Sequence, residues 1–230
     1  MWYKVKKIYQ WSNLVWPKWK PWANTIAYYP LTSITQATDQ SWNKLNGTVS
    51  WTITFWTNLW VDCASFNWWS NYITVPYDAI MNTNTFTLSM WLTKSNASDA
   101  NKWAISRWTF NNQWWNFALC NYFNTNGGSF LINNTHSSSF TMFDWINKWV
   151  NVILTYDWSM GEVYVNSNKV LTYNKTFDMS SLTTKLIIWW YYNSSYCWQW
   201  NISEIILENK IWTAQERAAY YNSTKSKYWL

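Results

Sequence analysis

Glycine is what this chain lacks most: it has four in 230 residues, where average usage of about 7% would give roughly 16. Tight turns need backbone with φ > 0, which glycine adopts without a steric penalty, so the turns here must be made by other residues. Histidine occurs once, cysteine three times and proline four times. Cys63, Cys120 and Cys197 are odd in number and widely spaced, which excludes a disulfide framework or a cysteine zinc site. No run of 18 apolar residues exists, so no helical membrane span is expected. The opening Met1–Lys7 segment lacks the apolar stretch of a signal peptide. A cytoplasmic origin is expected, with export by a route other than classical secretion if the protein works outside. Without a Pro/Gly/Ser linker, a charge block or a fixed-period repeat, one large domain fits better than two.

Tryptophan takes the place of the missing glycine, with 25 copies. Several stand at turn positions: Trp42 in Ser41-Trp42-Asn43, Trp158 in Asp157-Trp158-Ser159, and the pairs Trp68-Trp69 and Trp189-Trp190 between strand-like runs. Left-handed backbone under a Cβ-bearing residue costs about 1–2 kcal/mol per site. The counts suggest UGA codons that the source reads as glycine and that have been rendered here as tryptophan. Lysine outnumbers arginine 15 to 2 and asparagine occurs 28 times, as in an AT-rich genome. The alternative is a natural Trp-rich protein with aromatic binding platforms. Trp91 and Trp149 read as true tryptophans packed at inward-facing positions of alternating runs. Trp115 and Trp212 also read as true, whereas Trp42, Trp158, Trp189 and Trp200 read as glycine positions.

The formal net charge is +6, concentrated at the start. Lys4, Lys6, Lys7, Lys18 and Lys20 all precede the first acidic residue, Asp39. Residues 1–23 therefore read as a basic arm, either solvated or docked on an acidic neighbouring subunit, and 24–230 as the domain. Basic residues do not interleave with aromatics across the body, which argues against nucleic-acid binding.

Period-two alternation dominates that body. Phe86–Leu92, Val150–Tyr156, Glu162–Asn166 and Asn201–Leu207 read as strands, the second and third joined as a hairpin through Asp157-Trp158. Further strands fit at 25–30, 52–55, 72–75, 103–107, 116–121, 130–133, 169–173 and 186–188. One helix stands out at Thr213–Asn222, opened by the capping box Thr213-Ala214-Gln215-Glu216. The expected fold is all-β: a two-sheet antiparallel β-sandwich with one short C-terminal helix.

Six segments in order support a family. "AYYPLT", "DQSWNKLNGT", "CASFNWWSNYITVP", "FTLSMWLTK", "KWVNVILTYDWSMGEVYVN" and the tail from "LIIWWYYNSSYC" to "IWTAQERAAYY" resemble the concanavalin A-like lectin/glucanase superfamily in its laminin G-like bacterial and phage form. The likeness runs from about Asn24 to Ser223 and implies a jelly roll. Asn166-Ser167 stands where the family has Asn-Gly. The opening "KVKKIYQWSNLVWPK" resembles the leader of phage tail and other virion proteins, implying a virion or extracellular-surface setting.

The superfamily includes glycosidases, which need two carboxyl groups about 5–5.5 Å apart for retention or about 6.5–9.5 Å for inversion. Nothing matches the E-x-D-x-x-E strand of its glucanases. Glu204 and Glu208 share a strand face, but four residues at about 3.3 Å each put them roughly 13 Å apart. His136 lies in a Thr/Ser-rich loop with no nearby Asp, so it does not suggest a Ser-His-Asp triad. The resemblance also implies a structural Ca²⁺, for which Asp39 and Asn43 in one turn, with Glu204 on the closing strand, are the candidate oxygen ligands; an Asx-turn is the plainer reading of Asp39 and Asn43. Candidate carbohydrate-binding residues are Tyr191, Tyr192 and Asn193, with Tyr122 and Asn124. The expectation is a non-catalytic, lectin-like adhesion module recognising a glycan or host cell surface. It would sit in a phage tail or capsid decoration and touch other virion proteins through the arm. A purely structural virion protein and a glycoside hydrolase are the alternatives.

Overall fold

The computed structural model describes residues 23–50, 53–58, 60–66, 71–94, 102–109, 114–121, 127–133, 135–143, 147–190 and 200–230; the basic arm lies outside them. Two antiparallel eight-stranded sheets make up the fold, the arrangement that the alternation predicts. In the first, β6 (Thr85–Lys94) and β16 (Trp200–Glu208) are central. Outward from β6 lie β12 (Val150–Asp157), β13 (Met160–Val165) and β14 (Asn168–Asn174). The far edge of β16 is shared by β1 (Thr25–Tyr29) and β4 (Val61–Phe66), with β3 (Thr54–Asn58) outside β4.

The second sheet centres on β7 (Lys102–Thr109), between β8 (Trp114–Asn121) and β15 (Leu186–Trp190). β5 (Tyr72–Val75) and β2 (Thr48–Ser50) extend it past β15. Beyond β8 come β9 (Gly127–Ile132) and the two short partners of β9, β10 (Thr135–His136) and β11 (Phe140–Thr141). His136, expected in a loop, thus pairs with Leu131 in a two-residue strand. Trp189 and Trp190, expected in a turn, are the last residues of β15.

Alternation decides what lies between the sheets. Phe86, Leu88, Met90 and Leu92 of β6 and Val150, Val152, Leu154 and Tyr156 of β12 point into one core. Phe117 and Leu119 of β8, Phe130 and Ile132 of β9, and Leu186 and Ile188 of β15 meet them from the second sheet. Trp200 also belongs to this core, fully buried and set edge-on against Phe143 with ring centroids 5.1 Å apart. The expectation that it marks an exposed glycine turn is therefore corrected: it opens a strand and fills interior volume.

The opposite face of the first sheet is also buried, but it mixes apolar residues with polar ones such as Thr87, Ser203 and Glu204. Val61, Cys63, Trp91, Ile153, Tyr164 and Ile206 form a second cluster with Trp149, Trp212, Tyr220 and Tyr228. What covers this face is the C-terminal segment, α1 (Ala214–Thr224) and the 3-10 turn Lys225–Tyr228. The helix begins as the capping box predicts: Glu216 N–H donates to Thr213 Oγ1 at 3.2 Å and Thr213 N–H to Glu216 Oε2 at 2.8 Å. Trp91 stacks on Tyr228, 3.9 Å between centroids and 10° from parallel. Both predicted core tryptophans are buried, but not between the sheets. Trp91 faces the helix, and Trp149 precedes β12 and leans on Tyr228 at 5.3 Å.

A β-bulge explains how β16 serves both clusters. Its register with β6 shifts between Ile202 and Glu204, so Ile202 points to the inter-sheet core while Ser203 and Glu204 both face the helix. There Tyr228 donates to Ser203 Oγ at 3.1 Å and Tyr220 to Glu204 Oε1 at 2.7 Å. Truncating Trp91 to Ala should therefore cost about 3–5 kcal/mol and detach α1 before the sandwich melts. Denaturant unfolding followed by hydrogen exchange over 214–228 would check this; full protection of the helix in the variant would contradict the packing described.

Candidate functional site

The sequence-predicted carbohydrate residues Tyr122, Asn124, Tyr191, Tyr192 and Asn193 lie outside the described residues. The strands that lead into them do not. β8 ends at Asn121, paired with Lys102, and β15 ends at Trp190, paired with Trp103. Both strands flank the start of β7, so the chain leaves the sheet at two points separated by two inter-strand spacings, about 10 Å. In the first sheet the end of β6 at Lys94 pairs with Trp200, and Trp200 with Phe66 at the end of β4. Described strands thus end together at Phe66 and Lys94 in the first sheet and at Asn121 and Trp190 in the second.

Asp39 and Asn43 are brought together, as expected, but their bonds are already made. The Asp39 carboxylate is buried. Its Oδ1 accepts from the Tyr28 and Ser41 N–H groups at 2.8 Å each. Its Oδ2 accepts from Ser41 Oγ at 2.6 Å and the Leu45 N–H at 2.8 Å. Asn43 Nδ2 donates to the carbonyls of Thr25 and Ile26, both at 2.9 Å. The turn is an Asx-type clamp on β1.

Glu204 lies elsewhere, beneath α1, hydrogen-bonded by Tyr220 and Tyr28 with Lys227 Nζ 3.9 Å away. Burial, and then the Glu204 charge, push the hydroxyls of Tyr28 and Tyr220 well above the ordinary phenol range. Four protein donors already saturate the Asp39 carboxylate, and Glu204 spends its oxygens on tyrosines. These three residues do not fit a calcium site, which needs six to eight oxygens free to face the ion.

The other described carboxylates are equally engaged. Glu208 accepts from Trp212 Nε1 at 2.6 Å and Thr25 Oγ1 at 3.3 Å. Asp157 takes the Ser159 and Met160 N–H groups, and Asp178 the Ser180 N–H and Asn84. Asp78 caps the short 3-10 turn Ala79–Met81, Asp62 accepts from Thr57, and Glu162 binds Tyr164 and Lys169. Glu216 completes the helix cap and meets Lys210. Asp99 and Asp144 lie outside the described residues. Each described carboxylate holds a turn, a cap or a cross-element bond.

One pocket was not foreseen. About 360 Å³ in volume, it is lined by Trp60, Asn147, Lys148, Trp149, Tyr228, Trp229 and Leu230. No alternation signals it, because its walls come from a β3–β4 turn, the approach to β12 and the C-terminal segment. Two of its indoles, Trp60 and Trp229, stand on left-handed backbone with φ of 64° and 60°. Cys63 lies beneath the same segment, and burial pushes its thiol up to about 12.

Neither a protein-family model nor a curated protein matches the sequence. Solved structures do match the fold. The binding domain of Paraclostridial Mosquitocidal Protein 1 aligns over 87% of this chain and 52% of its own, at 12% identity and a TM-score of 0.71. The receptor-binding domain of a botulinum neurotoxin C/D mosaic serotype aligns over 86% and 51%, at 13% identity and 0.70. Botulinum neurotoxin type C, which interacts with two ganglioside molecules, aligns over 87% and 51%, at 14% identity and 0.65. This chain spans about half of each. At these identities the likeness establishes the β-sandwich fold and leaves the laminin G-like and phage assignments as readings of the motifs.

Two outcomes follow from the site. Asp39→Ala strands four donors, three of them backbone N–H groups, at about 1–3 kcal/mol for a buried unsatisfied group, so it should lower stability by at least about 3 kcal/mol. The loss should be the same in EDTA and in calcium, as thermal melts would show; rescue by calcium would restore the metal reading. Cys63 should resist thiol reagents at pH 8 in the native protein and react once denaturant opens the helix. Rapid native labelling of Cys63 would contradict its burial.

Proposed function

We propose that this chain is a non-catalytic binding module that recognises glycans or cell-surface receptors through the segments gathered at one end of the sandwich. The observation that carries this reading is the paired ending of β8 and β15 on the start of β7. On this reading the Tyr122/Asn124 and Tyr191-Tyr192-Asn193 segments, which follow these two strand ends in sequence, share one rim. Tyrosine offers a flat apolar face for a sugar ring and a hydroxyl for its edge, and asparagine adds directed hydrogen bonds. The fold relatives include receptor-binding domains and one that interacts with gangliosides, which supports the class of ligand without naming it. In the setting we propose, a phage tail or capsid decoration, residues 1–23 attach the module to an acidic neighbouring subunit. A module that only packs within a virion is the competing reading.

The test is a glycan array, with ganglioside-bearing vesicles as a second arm, run on the parent and on Tyr191→Ala/Tyr192→Ala and Tyr122→Ala variants. Each variant should weaken binding at least about tenfold, the loss typical of a truncated aromatic anchor, while melting like the parent. An array with no binder at all would favour the purely structural role. Release of reducing sugar would instead reveal a hydrolase.

A further inference from the structure

Seven of the tryptophans whose surroundings are described divide by backbone and burial; Trp42 and Trp56, 80% and 47% exposed without left-handed backbone, fall in neither group, so the glycine reading of Trp42 finds no support in its backbone. Trp91, Trp149, Trp200 and Trp212 are almost completely buried, none has left-handed backbone, and Trp212 donates its indole N–H to Glu208. Trp60, Trp158 and Trp229 are the reverse. Their φ angles are 64°, 78° and 60°, and they are 84%, 44% and 72% exposed. L-residues avoid this region because Cβ crowds the following carbonyl, and asparagine is the usual exception.

The glycines of the chain show the complementary pattern. None has positive φ among the described residues. Gly47, Gly128 and Gly161 instead stand where a Cβ would come within 2.3, 2.6 and 2.6 Å of Ile73, Phe140 and Phe130. Glycine therefore serves close approach in this chain and nowhere serves a left-handed turn, which is among its commonest uses. Trp158 sits between Asp157 and Ser159 in the β12–β13 hairpin, where Asp157 already bonds the backbone of Ser159 and Met160. Trp229 holds the left-handed position that ends the 3-10 turn, its N–H returning to Lys225 and Ser226. Both are positions that glycine fills in hairpins and helix ends.

We infer that the polypeptide made in its source carries glycine where Trp60, Trp158 and Trp229 are written, through UGA codons decoded as glycine, and keeps tryptophan at Trp91, Trp149, Trp200 and Trp212. This inference is independent of the glycan reading and removes a rival to it. With glycine at two of its walls, the pocket beside Tyr228 loses both exposed indoles and with them any claim to be an aromatic sugar platform.

Peptide mass spectrometry of the protein purified from its source, set beside the codons of its gene, tests the assignment. Peptides spanning Trp60, Trp158 and Trp229 should be lighter than written by one indolylmethyl-to-hydrogen exchange at each site, with UGA in the gene. Peptides spanning the four buried positions should carry the tryptophan mass, with UGG. Tryptophan mass at any of the three exposed sites, or glycine mass at any of the four buried ones, would overturn it. In the protein as written, the combined Trp60→Gly, Trp158→Gly and Trp229→Gly variant should melt higher and yield more soluble material, and Trp200→Gly should melt lower. A triple variant that melts below its parent would refute the strain argument.

Discussion

The first sheet is buried on both faces, and this constraint organises the rest of the molecule. Every residue of β16 is buried and nine of the ten in β6 are. A sheet of that kind needs a cover on each side. The second sheet supplies one. The other is the C-terminal segment, where Trp212 and the short helix and turn after it bring Trp212, Tyr220, Tyr221 and Tyr228 onto Trp91, Ile153 and Ile206. Such a helix has little stability of its own, since isolated helices shorter than about 12–15 residues are marginal in water. It holds because aromatic stacking and buried carboxylates fix it from below.

Those carboxylates explain an oddity of the chain. Glu204 and Glu208 sit four residues apart on one strand face, and both are buried. Both meet the aromatic layer: Tyr220 and Tyr28 bond Glu204, and Trp212 bonds Glu208. A buried carboxylate with strong donors is tolerable, whereas an unpaired one is not. Hydroxyl and indole donors let an aromatic layer be both apolar and hydrogen-bonding, so polar atoms anchor a helix that faces greasy strands. Lys210 and Lys227 add longer contacts of 3.9 Å from the rim, weaker than the hydrogen bonds beneath them.

Period was legible in the residues, and facing was only half legible. Phe86–Leu92 and Val150–Tyr156 alternate cleanly because polar and apolar residues take turns, and the Asp157–Met160 hairpin and the Thr213–Glu216 cap follow from local chemistry alone. Trp91 breaks that logic. It falls at a position where alternation would place a solvent-facing residue, and only tertiary cover from α1 buries it. The strand Val61–Phe66 was missed for the same reason. Its Cys63 faces the helix while Ala64 and Phe66 face the other sheet, so no polar face remains to show a period. β2, β10 and β11 have two or three residues each, too few to display any period. Trp200 misled in the other direction, since a family glycine position turned out to hold a core residue. The candidate site residues were legible as composition, tyrosine beside asparagine, whereas the strand order that sets where β8 and β15 end was not, because β15 finds β7 far away in sequence.

Strand order also separates the stabilising parts of the molecule from the part proposed to recognise a ligand. The Asp39 clamp, the Tyr156 hydroxyl that meets the carbonyls of Trp158 and Lys175 at 2.7 and 2.8 Å, and the buried Arg107 guanidinium on the carbonyls of Met81 and Thr184 all tie loops to the body. Arg107 sits beside Leu186, towards the start of β15, while the Tyr191 segment leaves from its end at Trp190. The two lie at opposite ends of one strand. Loops at the Arg107 end are fixed by side chains that reach backbone carbonyls, which leaves them little freedom to change sequence. The Trp190 end is held by strand pairing with Trp103. A sandwich divided in this way can vary what it binds without disturbing what holds it together, and the same division appears whether its ligand is a glycan, a receptor or another subunit.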